Sequence, residues 1–116
     1  MNRLQEVFQN KKAFIPFITA GDPCLATTKQ LVLHMAEAGA DLIELGIPFS
    51  DPVAEGPVIQ EADYRALSAG VTTDKIFTMV EELRIESKVP IAFMTLFRIF
   101  PMKKRRSWSR SVRNMV

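Results

Sequence analysis

Apolar positions along this chain recur first at helical spacing and then in short blocks, and the two rhythms alternate as far as Thr95. Leu4, Val7 and Phe8 share a face at i, i+3, i+4 spacing, which predicts a short helix from Leu4 to Asn10 ended by Lys11-Lys12. Ala13-Phe14-Ile15-Pro16-Phe17-Ile18-Thr19 is an apolar, β-rich block that reads as a strand. Ala20-Gly21-Asp22-Pro23 is a turn that can also start a helix, with Pro23 suited to the first turn. From Leu25 to Ala38 the positions Leu25, Leu31, Val32 and Met35 recur helically, and Gly39 supplies the stop. A second strand follows, Asp41 to Leu45, and then a loop from Gly46 to Gly56 that contains Pro48 and Pro52. Pro57 opens a helix in which Ile59, Ala62 and Ala66 recur up to Gly70. Thr72 or Thr73 caps another, with Ile76, Phe77, Val80 and Leu83 as its apolar stripe and Glu81, Glu82, Arg84 and Glu86 as its solvated face. Val89 to Thr95 is the third strand, and Pro90 is tolerated at its beginning.

Strand, helix, strand, helix pair, strand is the alternation of a parallel α/β protein, whose strands are apolar because helices cover them. Three strands are too few for a complete doubly wound sheet or for a closed eight-stranded barrel of ~250 residues. The chain reads as unfinished.

Composition narrows the class. With 116 residues, 47% of them apolar, the chain has the size and makeup of about one globular domain. No apolar run approaches the ~20 residues that span a bilayer, and the start Met1-Asn2-Arg3-Leu4-Gln5-Glu6 lacks a signal peptide's apolar core, so the expected location is cytoplasmic, with no membrane partner. The single Cys24 has neither a disulfide partner nor a ligand at metal-binding spacing, which leaves a spectator thiol and no metal site. His34 has no partner acid placed by spacing and belongs on the solvent side or flank of its helix.

Charge divides the chain sharply. The segment Leu96 to Val116 holds seven of the fifteen basic residues and no acid, leaving eight basic against thirteen acidic groups in the remainder, a net of −5. One reading of such a tail is a nucleic-acid arm, with Trp108 available for stacking; but basic tails poor in aromatic residues bind weakly and without specificity, and no nucleic-acid partner is expected. The other is a disordered end that does not belong to the preceding domain.

Candidate chemistry gathers at the second strand. In parallel sheets and barrels, ligands collect at the carboxyl ends of strands, and Glu44 lies one residue from such an end. Because side chains alternate, Ile43 and Leu45 face the helices while Leu42 and Glu44 face a barrel's interior, where burial would raise the carboxyl pKa and suit it to proton transfer. From spacing alone, the favoured reading of Glu44 is a structural acid that caps a loop amide or pairs with a base. Asp51 and Glu55 are weaker candidates, since proline-rich loops commonly carry solvated or turn-making acids.

Longer stretches resemble a known family. Phe14-Ile15-Pro16-Phe17-Ile18-Thr19-Ala20-Gly21-Asp22-Pro23 is similar to the first strand and loop of the tryptophan synthase alpha subunits. Glu37-Ala38-Gly39-Ala40-Asp41 leads, as in that family, into Glu44-Leu45-Gly46-Ile47-Pro48-Phe49-Ser50-Asp51-Pro52. Pro57-Val58-Ile59-Gln60 and Ala66-Leu67-Ser68-Ala69-Gly70-Val71-Thr72 continue the match, and the likeness covers about Phe14 to Thr95.

The resemblance implies a parallel (β/α)8 TIM barrel of which only the first three β/α units are present, with residues 1–95 as its N-terminal part and 96–116 as a basic, non-family tail. It implies a carbon–carbon lyase of tryptophan biosynthesis that cleaves indole-3-glycerol phosphate to indole and glyceraldehyde 3-phosphate. Such an enzyme has no cofactor of its own, pyridoxal phosphate being held by a beta subunit in an alpha2-beta2 assembly. Glu44 matches the family's general acid/base, Phe17 a residue lining the indole pocket, and Asp51 and Pro52 a loop that helps face the beta subunit. Glu55 stands where the family has an aspartate that holds the indole N–H. The charge is kept, but the carboxylate is displaced by about one bond length, and ~1 Å of misplacement can cost 10²-fold in rate.

After Thr95 the family motif stops. The expectation is that the tail is a frameshifted reading of the family's next helix, because codons allowed for Met102 to Met115, read two nucleotides on, can spell an amphipathic helix with a glycine stop. An intact codon series, with no barrel half in another frame downstream, would sink that idea.

Overall fold

The computed structural model describes residues 3–9, 11–50 and 56–95. Its elements run α1 (Arg3–Val7), β1 (Phe17–Thr19), α2 (Leu25–Glu37), β2 (Ile43–Gly46), α3 (Pro57–Ser68), α4 (Thr73–Glu86) and β3 (Ile91–Met94). The strands form one sheet in the order β1-β2-β3, both pairs parallel. Parallel neighbours need long crossovers, and α2 and the α3–α4 pair supply them.

The strands are shorter than their apolar blocks. Pro16 has no N–H to give a ladder, so β1 starts only at Phe17, although the approach is already tied to the β2 side: Asp41 N–H donates to the Phe14 carbonyl at 3.0 Å and Glu44 N–H to that of Pro16 at 2.9 Å. The first helix stops at Val7. Val7 is buried, whereas Phe8 falls in the following turn and is 60% exposed, so the expected third member of that face is outside it.

Helix boundaries follow the predicted signals closely. Glycines 39 and 70 follow α2 and α3, and the Thr72 side chain caps α4 by accepting from Lys75 N–H at 3.3 Å. Pro23 is not in the first turn of α2 as expected. It lies in the turn ahead of the helix, after a cis Asp22–Pro23 peptide, and Cys24 takes the N-cap position. Leu31, placed on the apolar face by spacing, is 40% exposed; Thr28, fully buried, takes part of that face instead. Thr28 is admitted there because its hydroxyl is satisfied: it accepts from Gly21 N–H at 2.9 Å and donates to the Cys24 carbonyl at 3.2 Å.

The core lies on one side of the sheet. Ile43, Leu45 and Ile91 are fully buried together with Val32 of α2 and Ile76, Val80 and Leu83 of α4, and Phe77 meets Phe93 edge to face at 5.3 Å between ring centroids. The whole predicted stripe of α4 is buried, as is Met79. Arg84, expected on the solvated face, is half-buried and donates to the Val89 carbonyl at 2.6 Å, bracing the entry to β3. The opposite side is open: Phe17 is 37% exposed and Met94 49%. Among the described residues no helix is long and apolar enough to cross a membrane.

Candidate active site

Alternation along β2 divides its residues as the sequence predicts. Ile43 and Leu45 enter the helix-covered core, so Glu44 and Gly46 face the open side of the sheet. Register then extends that face across the sheet. Phe17, Glu44 and Ala92 are opposite one another and form one row; Thr19, Gly46 and Met94 form the next, nearer the carboxyl ends. Glu44 is half-buried, one row below the rim, with its backbone N–H held by Pro16.

Above this row lies a cleft of about 290 Å³ at the carboxyl ends of the strands, closed on one side by α3. Phe17, Ile47, Phe49, Ile59 and Met94 give it apolar walls, and Asp63 contributes a carboxylate. The structure therefore brings Phe17 to the cleft and places Glu44 beside Phe17 in register, beneath the cleft lining. Glu55, Asp51 and Pro52, and the basic tail from Leu96, lie outside the described residues.

Two features had escaped the sequence reading. Asp63 is only 4% exposed, yet it falls with Ile59 and Ala66 at i, i+4, i+7 spacing, a helical rhythm that marks the inward face of α3 when an acid is allowed into it. The second is a fork between Arg65 and Asp22, with Nε donating to Oδ1 at 2.8 Å and Nη2 to Oδ2 at 3.0 Å. It ties the β1–α2 turn to α3, the helix that supplies Ile59 and Asp63 to the cleft. No local pattern announces a pair 43 residues apart.

The Arg65 guanidinium holds the Asp22 carboxyl below its ordinary range, mainly through these hydrogen bonds. Asp41 is lowered likewise by Lys11 and by the Phe14 N–H, which donates to it at 2.8 Å. A depressed folded pKa contributes stability above the unfolded value of about 3.9 and loses it as pH falls through the folded value. Asp22→Asn is therefore expected to flatten the fall in urea midpoint between about pH 5 and about pH 2. An unchanged slope would show that the fork contributes nothing in solution. His34 is exposed, as expected, and Cys24 is exposed beside the Thr27 hydroxyl, which lowers its thiol pKa. Among the described residues no group of three or more metal-ligating side chains is assembled.

Known proteins match this arrangement. A model of the tryptophan synthase alpha chain family matches residues 4–110. The tryptophan synthase alpha chain of Lacticaseibacillus casei is 56% identical over 99 residues, covering 85% of this chain and 37% of that protein. The crystal structure of tryptophan synthase subunit alpha from Legionella pneumophila str. Paris superposes with a TM-score of 0.92 at 35% identity, over 99% of this chain and 46% of that one. The tryptophan synthase a2b2 complex from Pyrococcus furiosus matches with a TM-score of 0.77 at 38% identity, over 89% of this chain and 41% of that one. The chain thus spans less than half the length of these relatives, and its three-stranded sheet is the first three units of their (β/α)8 barrel. By matched interval, identity and fold alike, the chain belongs to the tryptophan synthase alpha chain family.

Proposed function

We propose that the chain carries the proton-transfer group and one wall of a lyase site of tryptophan biosynthesis, and that by itself it does not complete that site. The reaction is the retro-aldol cleavage of indole-3-glycerol phosphate. Glu44 protonates the indole ring carbon and helps take the proton of the glycerol hydroxyl as the carbon–carbon bond breaks, releasing indole and glyceraldehyde 3-phosphate. Phe17 forms the apolar wall for the ring, and Glu55 accepts its N–H less favourably than a shorter aspartate would. No cofactor is required of this chain. Pyridoxal phosphate belongs to the beta subunit, which the Asp51–Pro52 loop helps to face in the cytoplasm.

The observation that carries this reading is the common row of Phe17 and Glu44 beneath an apolar cleft at the carboxyl ends of parallel strands. Phosphate sites of such barrels are commonly built by loops after the seventh and eighth strands, and the described sheet has three. The test is indole production from indole-3-glycerol phosphate with and without beta subunit. The purified chain is expected to release none in either case, and robust release by the chain alone would refute the proposal.

A second reading is favoured by the open side of the sheet, where Phe17 and Met94 are exposed and, among the described residues, the outer edges of β1 and β3 have no strand partner. In that reading the chain is a non-enzymatic remnant that at most binds the beta subunit or a complementing barrel fragment. Restored lyase activity on adding such a fragment would exclude it.

A further inference from the structure

The two helices of the second crossover are held on different terms. α4 buries Ile76, Phe77, Met79, Val80 and Leu83, whereas the residues buried along α3 are Ala62, Asp63 and Ala66, and its larger side chains Val58 and Tyr64 are exposed. Apolar stabilisation scales with the area removed from water, so two alanines and a half-buried Ile59 keep α3 close to the sheet without fixing its angle. A directional contact has to do that.

Arg65 supplies it. Standing in the last turn of α3, it meets Asp22 through two N–H···O bonds, at 2.8 Å and 3.0 Å, which fix a plane as well as a distance. Asp22 is a firm post. The preceding Gly21 has φ +89° and lies so close to the Val71 side chain that a Cβ added to it would come 2.1 Å from Val71 Cγ2, while its N–H is held by the Thr28 hydroxyl at 2.9 Å. The β1–α2 turn therefore grips α3 near its carboxyl end, through Arg65 and through Val71 just beyond Gly70. Toward the other end, Ile59 lines the cleft about 9 Å along the axis from Arg65, so a swing of about 6° at the fork displaces it by about 1 Å.

From these contacts we infer that Asp22 and Arg65 are positioning residues of the cleft, their fork setting the angle of α3 and with it the places of Ile59 and Asp63 in the wall. The inference rests on the lyase reading only for what the cleft acts on. The Arg65 side chain is half in water, where ion pairs add little to stability, so the fork acts through its geometry more than its energy. Lysine in place of Arg65 keeps the charge and gives up the bidentate geometry, which separates the two contributions.

The experiment measures backbone N–H residual dipolar couplings of the full chain, together with urea midpoints, for the wild type, Arg65→Lys and Asp22→Asn, the second variant keeping the size of the side chain. Wild-type couplings along α3 should fit the same frame as those of β2 and α4. In both variants α3 should leave that frame, by a reorientation of about 6° or more or by motional loss of coupling amplitude, while β2 and α4 keep their mutual orientation and Arg65→Lys keeps a urea midpoint close to the wild type's. A merely stabilising ion pair would move the midpoint and leave the couplings alone. An α3 that stays in place in either variant, or a loss of the β2 and α4 couplings along with those of α3, would overturn the inference. In a lyase assembled from this chain and the remaining β/α units of a relative, Arg65→Lys should lower kcat/KM about tenfold, since misplacement by about 1 Å can cost up to about 10²-fold. An unchanged kcat/KM with α3 displaced would overturn the inference as well. A wild-type assembly that releases no indole would refute the lyase reading instead, and the couplings alone would then decide the fork.

Discussion

Ile43→Ala is expected to leave the chain largely unfolded. Ile43 is fully buried at the centre of the sheet, opposite the fully buried Ile91 and within the cluster formed by Val32, Ile76, Val80 and Leu83. Cutting isoleucine to alanine in a packed core costs about 2–5 kcal/mol, through lost transfer energy and the cavity left behind. A native domain has only about 5–15 kcal/mol in hand. Here the margin belongs at the low end, because one side of the sheet buries little: Phe17 and Met94 remain exposed, and among the described residues neither outer edge of the sheet has a strand partner. Urea unfolding followed by far-UV circular dichroism reads the effect. Ile85→Ala supplies the control, since Ile85 is 86% exposed on the same helical layer and should shift stability by no more than about 0.5 kcal/mol. A cost below about 1 kcal/mol at Ile43 would mean that the helix-covered side is not the core.

Glu44→Gln is expected to remove indole release from any assembly in which this chain supplies the site. Glutamine keeps the size and hydrogen-bonding shape of the side chain but cannot exchange a proton, so the substitution isolates acid/base chemistry from packing. General acid/base catalysis contributes roughly 10²–10⁴-fold, and the loss should appear in kcat with little change in KM, because the group acts on the breaking bond and not on ground-state binding. Glu44 sits on a strand paired on both sides, with neighbours Phe17 and Ala92 in register, which fixes its origin better than a loop would. The measurement is steady-state indole formation from indole-3-glycerol phosphate with wild-type and variant chains at equal assembly. A rate within about threefold of wild type would move the proton-transfer role to another residue.

Much of this architecture was legible because period and punctuation agree. The stripe of α4 from Ile76 to Leu83 is buried in full, and Thr72 caps it as its type and position predict. Two-residue alternation placed Ile43 and Leu45 in the core and Glu44 on the other side before any contact was known. What was not legible depends on partners that come within reach only once the chain is folded. Arg84 looks like a solvated helix residue until the Val89 carbonyl is placed against it, and Leu31 is displaced from the apolar face because Thr28 can satisfy its hydroxyl locally. The Asp22–Arg65 fork and the close approach of Gly21 to Val71 are likewise products of the path of α3, which no local window contains. Even the role proposed for Glu44 rests on the long motif around it, since spacing alone favours a structural acid.

The face that carries Glu44 and Phe17 is complete in register but enclosed on one side only, and the central claim is that it becomes a lyase site when the rest of a barrel closes over it. The direct measurement is indole release from indole-3-glycerol phosphate by this chain mixed in equal amounts with a polypeptide supplying the remaining β/α units of a relative. The account predicts no indole from either component alone and sustained release from the mixture, abolished by Glu44→Gln in this chain. A mixture that associates yet stays silent, or release that survives loss of the Glu44 carboxylate, would contradict it.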